Sequence, residues 1–193
     1  MINNNEEFKL KNRGNRMEIL AQIFGVIGLI IMAIGMQFRR KKNMLLAQIA
    51  TNTCYIIQYF LLGAFTGAFT FIVNNLRSST FYYYSKARKK PNVLLLFLFS
   101  GLAITMGLTT YKNIFSIIPV ISSVITTYGA WQKKAKIFRI AIMTSSFILI
   151  FHDLYFGAYA GMLSYAITFT STLIGFIKYQ MPKKNKELKA EEE

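Results

Sequence analysis

Seven apolar stretches dominate the chain, at about Ile19 to Phe38, Met44 to Leu62, Phe65 to Tyr84, Val93 to Thr110, Asn113 to Gln132, Ile137 to Phe151 and Tyr155 to Tyr179. A bilayer core about 30 Å thick is crossed by roughly 20 residues of helix. Each stretch is therefore a candidate transmembrane helix, although the sixth is short taken alone. Lipid offers no water to backbone N–H and C=O groups, so a long continuous apolar stretch satisfies them only as helix. The expected fold class is an all-α integral membrane protein with seven transmembrane helices. Within 193 residues these spans leave no room for a sizeable soluble domain.

The charges then set orientation. There are 23 Lys and Arg against 8 Asp and Glu, a net charge of +15 that in a soluble chain would suggest nucleic acid. Arg39, Arg40, Lys41 and Lys42 follow the first span, Lys86, Arg88, Lys89 and Lys90 the third, and Lys133, Lys134, Lys136 and Arg139 the fifth. Lys178, Lys183, Lys184, Lys186 and Lys189 lie at the C-terminal end, so 17 of the 23 share one side of a seven-span arrangement. The positive-inside rule puts that side in the cytoplasm and the N-terminus outside a bacterial inner membrane. The charge thus records topology; no nucleic-acid partner is implied, and the basic loops suit anionic lipids. The polar leader, 1–18, fits translocation poorly because of Lys9, Lys11, Arg13 and Arg16, which makes Met17 a candidate start. No small-residue cleavage site follows the first span, so that span is read as retained. A charged tail, 180–193, ends the chain.

Shifted against itself by 94 to 95 residues, the chain pairs GAFTG at Gly63 to Gly67 with GAYAG at Gly157 to Gly161. Gln37 pairs with Gln132, each opening a basic loop; Gly25 meets Pro119, Asn52 meets Ser146 and Asn74 meets Thr168. Both units place their basic loop after their first helix and so share one orientation. Two directly joined three-helix units could not do this; an odd connecting helix is required, and Val93 to Thr110 supplies it. The expected organisation is a first triple-helix repeat at 19–84, a basic loop and linker helix at 85–112 closed by the Tyr111–Lys112 turn, and a second repeat at 113–179. That is a 3+1+3 parallel repeat, of the kind found in SWEET-type transporters.

The segments IGMQFRRKKNMLLAQIATN, YFLLGAFTGAF and NNLRSSTFYYY resemble the YgjV family of bacterial inner-membrane proteins, from about Met17 to Tyr179. More distantly, the 3+1+3 plan resembles the PQ-loop and SWEET superfamily, which implies two triple-helix bundles rocking around a central solute site. That superfamily marks its repeat with a Pro–Gln pair, whereas here Met36 precedes Gln37 and Trp131 precedes Gln132. The resemblance also implies a substrate-contacting Asn on the third helix of each bundle. Asn74 matches it, and the second repeat has Thr168 instead.

Polar residues inside the spans show which helix faces point inward. Gln48, Asn52, Tyr55 and Tyr59 align on the second span, Thr66, Thr70, Asn74 and Arg77 on the third, Pro119, Ser123 and Thr126 on the fifth, and Gly161, Tyr165, Thr168, Thr172 and Gly175 on the seventh. The expected substrate site is lined by Asn52, Asn74, Ser146 and Thr168. Arg77, a charge well inside its span, is a candidate gate or anion contact unless it snorkels to the interface. Pro119 is expected to kink the fifth span. Gly25, Gly28 and Gly35 form a seam on the first, suited to close packing. His152 and Asp153, as neighbours in a helix, are expected on different faces. Tyr82 to Tyr84 and Trp131 fit an interfacial aromatic belt, and Cys54 fits inert packing.

No nucleophile with an orienting partner and no paired carboxylates are present for catalysis, so an enzyme is not expected, nor a cofactor or a metal. Two functions remain. One is a transporter or facilitator of a small polar solute; the other is a receptor or scaffold binding a lipid head group or partner protein. The sequence is also compatible with a homo-oligomer.

Overall fold

The computed structural model describes the backbone at 4–109, 115 and 117–180, and side chains at 16–65, 67–108, 115 and 117–180. The C-terminal tail beyond Gln180, the Tyr111–Lys112 turn and the side chain of Thr66 lie outside the described residues. The described residues form seven α-helices: α1 (Asn4–Gly35), α2 (Lys41–Leu61), α3 (Phe65–Lys86), α4 (Val93–Thr109), α5 (Ile117–Trp131), α6 (Ala135–Tyr155) and α7 (Tyr159–Gln180). Arg16–Gly35, α6 and α7 are long and apolar enough to cross a membrane. Val93–Leu108 and Ile117–Trp131 are apolar and shorter. The remaining two, α2 and α3, reach 21 and 22 residues but carry the Gln, Asn and Tyr stripes that lower their hydropathy.

Two boundaries differ from the apolar pattern. The leader does not stand apart, because α1 runs unbroken from Asn4 into the first span. Glu, Lys, Arg and Leu favour helix there and no Pro interrupts it. The sixth helix is a full 21 residues rather than a short apolar stretch, since it takes in Ala135 and Lys136 at one end and His152 to Tyr155 at the other.

The tight turns explain why α2 and α3, and likewise α6 and α7, form antiparallel pairs. Gly63 sits at φ +68° and Gly157 at φ +69°, a region open to glycine at little cost. Around each, the closing hydrogen bonds are those of a Schellman cap: Ala64 N to Tyr59 O at 2.9 Å and Gly63 N to Phe60 O at 3.1 Å in one, Ala158 N to Asp153 O at 2.8 Å and Gly157 N to Leu154 O at 3.2 Å in the other.

The helices pack as two sets. In the first, α1 lies on α2 and α2 on α3; in the second, α5 lies on α6 and α6 on α7. The sets meet along two seams, α1 with α7 and α3 with α5, while α4 packs on α5. Helices α2 and α6 begin 94 residues apart, at Lys41 and Ala135, and α3 and α7 are offset equally, at Phe65 and Tyr159. Side-chain contacts keep this offset. A Cβ on Gly35 would strike Ala47 and one on Gly129 would strike Ala141. Thr51 Oγ1 donates to Gly28 O at 3.2 Å, and Ser145 Oγ to Ser122 O at 3.0 Å.

The tightest packing gathers at the end of the bundle that carries the basic loops, where Met36, Met44, Leu45, Phe81, Phe99, Ala130, Trp131, Phe138 and Ile142 are buried. Trp131 belongs to this core and not to an exposed belt; its Nε1 donates to Pro91 O at 3.1 Å, fastening α5 to the α3–α4 loop. Tyr83 is exposed. The glycine seam of α1 faces α2 inside one set, where Cβ atoms on Gly25 and Gly28 would crowd Gln58 and Tyr55. Outside, Leu94, Phe97 and Leu108 on α4 and Ile19, Ile23, Ile30 and Ile34 on α1 are exposed, an apolar surface suited to lipid rather than water.

Candidate functional site

A cavity of about 420 Å³ opens beside the α3–α5 seam. From α3 it is lined by Thr70, Asn74 and Arg77, which recur at helical spacing, and from α5 by Pro119, Ser122, Ser123 and Thr126, again on one face. Ser145 of α6 and Tyr165 of α7 add polar groups, and Phe99, Ala103, Met106 and Gly107 of α4 make the apolar wall. Two of the polar stripes expected to point inward therefore meet here, joined by Tyr165 from a third.

Arg77 is 6% exposed and lies across the seam. Its Nη1 donates to Thr127 Oγ1 at 3.0 Å and, over longer distances of 3.3 to 3.4 Å, to Thr126 Oγ1, Ser123 Oγ and Ser123 O. Nε is buried without a hydrogen-bond partner. The side chain thus reaches sideways to α5 and does not snorkel to the membrane edge. At the other seam the residue 94 further on, Ser171, does the corresponding work: its hydroxyl donates to Ala33 O at 2.5 Å and accepts from Gln37 Nε2 at 2.9 Å. Gln37 Nε2 also donates to Ser171 O at 2.7 Å.

The expected substrate residues are distributed differently. Asn74 lines the cavity; Asn52, Ser146 and Thr168 are buried outside its lining. Asn52 Nδ2 has no hydrogen-bond partner, whereas Thr168 Oγ1 donates back along α7 to Ser164 O at 2.9 Å. Pro119 stands in the first turn of α5. An N–H there has no intrahelical acceptor, so the ring begins a helix instead of kinking one. His152 Nδ1 and Asp153 Oδ1 lie 2.9 Å apart, so these neighbours bond each other at the end of α6 and do not diverge. Gly67 and Gly161 admit the side chains of Tyr59 and Asp153.

Lys41 and Arg139, counted among the charges of the basic loops, are both buried. Lys41 Nζ donates to Ala130 O at 2.5 Å and to Gln132 O, at the C-terminal end of α5. Arg139 Nη2 donates to Phe38 O at 2.6 Å and, more weakly, to Met36 O at 3.5 Å, at the C-terminal end of α1. Gln180, with its amide oxygen turned toward Arg139, accepts from Nη1 at 3.0 Å. Each helix set thus sends one cation to the unpaired carbonyls, and the negative dipole end, of the other set's first helix. The paired acceptors, Met36 with Ala130 and Phe38 with Gln132, are again 94 residues apart. Gln37 and Gln132 are consequently used differently, the first through its amide and the second through its carbonyl. One sequence signal could have found Arg139: it sits between Phe138 and Ile140, inside an apolar run, not in the lysine loop.

No group of three or more His, Cys, Asp or Glu able to hold a metal occurs among the described residues. Apolar helices with lipid-suited outer faces, around a partly polar internal cavity, define a multi-pass helical membrane protein. The chain belongs to the family described as Imp-YgjV, bacterial inner membrane protein, which it matches over residues 19–183. No curated protein and no solved structure matches it.

Proposed function

We propose that this protein is a transporter or facilitator of a small polar solute, built as a 3+1+3 parallel repeat whose two halves, α1–α3 and α5–α7, move against each other, with α4 as the linker. The 94-residue offset shared by the bounds of α2 and α6, those of α3 and α7, the left-handed glycines and the glycine contacts within each set supports the repeat. The likeness in plan to PQ-loop and SWEET transporters belongs to this proposal, as do a cytoplasmic C-terminus and an external N-terminus. The observation that carries the function is the cavity, because it takes polar groups from both halves inside the hydrophobic span: Asn74 and Arg77 from one, Ser122, Ser145 and Tyr165 from the other. Alternating exposure of a site between repeats is how such architectures move solute.

Catalysis forms no part of the reading; His152 and Asp153 bond each other and are not among the residues lining the cavity. The exposed Arg39, Arg40, Lys86 and Arg88 would meet anionic head groups at the cytoplasmic face. The test is uptake into liposomes holding the purified protein, over a broad panel of polar solutes. Movement of at least one solute faster than into empty vesicles is expected. If none moves, the transport reading falls and a binding-only receptor or scaffold takes its place.

A further inference from the structure

We infer that the cavity takes a small anion, one bearing a carboxylate or phosphate group, which binds the Arg77 guanidinium with the Ser122 hydroxyl as second donor. This rests on the cavity being the solute site and names the solute's class.

The argument begins with an unbalanced charge. Arginine stays protonated in proteins, and a cation held in low dielectric is costly unless paired. The ion pair recorded among the described residues is His152 with Asp153, and neither lines the cavity. The groups that do hold Arg77 are hydroxyls and one carbonyl, all on Nη1 and mostly at 3.3 to 3.4 Å, where hydrogen bonds are weak. Nε has no partner, and neither does Ser122 Oγ, which is also buried at the cavity wall. Buried polar groups without partners are uncommon in folded proteins. Two donors left so on one cavity call for an acceptor, and the charge on one of them calls for a negative acceptor.

Shape narrows the class. With Nη1 lightly held, a small swing of the side chain presents the Nε and Nη2 edge, whose two parallel N–H groups match two oxygens of a carboxylate or phosphate. The volume corresponds to roughly fourteen waters at about 30 Å³ each. That admits a compact anion, while the apolar α4 wall of Phe99, Ala103 and Met106 accepts its hydrocarbon part.

The test uses the full chain in phosphatidylcholine nanodiscs at constant ionic strength, with thermal unfolding as readout. Acetate and inorganic phosphate are titrated against acetamide, a neutral match for acetate. In parallel, part of the phosphatidylcholine is replaced by phosphatidylglycerol. Acetate or phosphate is expected to raise Tm saturably, acetamide to leave it unchanged, R77Q to weaken the anion response at least about tenfold, and R77K to keep part of it. A rise with phosphatidylglycerol alone, absent in R77Q, assigns the anion to a lipid head group. The inference is overturned if acetamide acts as acetate does, a comparison needing only the unaltered protein. It is equally overturned if no anion, soluble or lipid, stabilises that protein more than R77Q. Anion binding without uptake sinks the transport reading alone; uptake of neutral solutes without anion binding sinks this one alone.

Discussion

The crossed cations at the basic end lend themselves to a quantitative test. Replacing Arg139 by Met keeps most of the side chain's hydrocarbon and removes its donors. The Phe38 carbonyl loses a charged donor at 2.6 Å, and such a bond contributes about 1.5–3 kcal/mol. The guanidinium also lies 5.3 Å from the Tyr179 ring, worth about 0.5–1 kcal/mol. Against this, Arg139 Nε is buried without a partner, and its removal returns about 1–3 kcal/mol. With the Gln180 contact and the dipole of α1 added, the net loss comes to about 2 kcal/mol. Lys41→Met removes two carbonyl contacts on α5 and should cost at least as much, about 2–3 kcal/mol. Since both clasps close one interface between the halves, the double variant should fall short of additivity by at least about 0.5 kcal/mol. Unfolding in mixed detergent micelles, followed by circular dichroism, measures all three, with the exposed Lys86→Met as control. Losses at Lys41 and Arg139 no larger than the control's would refute the reasoning, because burial of a cation against helix-end carbonyls would then carry no stability.

Other outcomes follow from the same contacts. Gly63→Ala should cost about 1–2 kcal/mol, since φ +68° suits only glycine well, whereas Gly101→Ala, with open space around it, should be neutral or gain up to about 1 kcal/mol; thermal unfolding separates them. Gly129→Val should lose about 1–3 kcal/mol because Ala141 fills the space. Ser122→Ala should leave unfolding within about 0.5 kcal/mol of the parent, as its hydroxyl has no partner to lose, yet weaken anion stabilisation. In a Cys54→Ser background, Arg88→Cys should react with an impermeant maleimide only after the membrane is opened, and Ala64→Cys in intact cells; the reverse pattern would invert the proposed orientation.

The seven helices were legible because a bilayer imposes length and polarity on every span, and apolar runs mark each helix; Arg16–Gly35, α6 and α7 are by themselves long and apolar enough to cross a membrane. The two matching turns were visible at GAFTG and GAYAG because a left-handed position admits little but glycine, and both turns need one. What joins the halves was hidden. Lys41 and Arg139 read as loop charges, since a basic residue near a span end looks the same whether it meets water or a carbonyl 89 to 103 residues away. The role of Pro119 turned on where α5 begins, which the apolar run from Asn113 did not mark. The inward faces of α3 and α5 could be read from spacing, but which stripes share one space depends on how α3 meets α5 across the two sets, and no pattern within a helix encodes that. Asn52 and Thr168 belong to such stripes, yet they and Ser146 lie outside the cavity's lining.

The substitution of an arginine for a serine between Arg77 and Ser171 has a mechanical consequence. A serine is short enough for its seam to close like a zip, and Gln37 adds a second tooth. An arginine is too long for the same closure, so its seam stands ajar around a void. Parting the halves would break the short hydrogen bonds of Ser171 and Gln37 along one edge and only the mostly longer ones of Arg77 to α5 along the other. In the proposed rocking motion the bundle is hung like a door, with its jamb at α1 and α7 and its opening edge at α3 and α5.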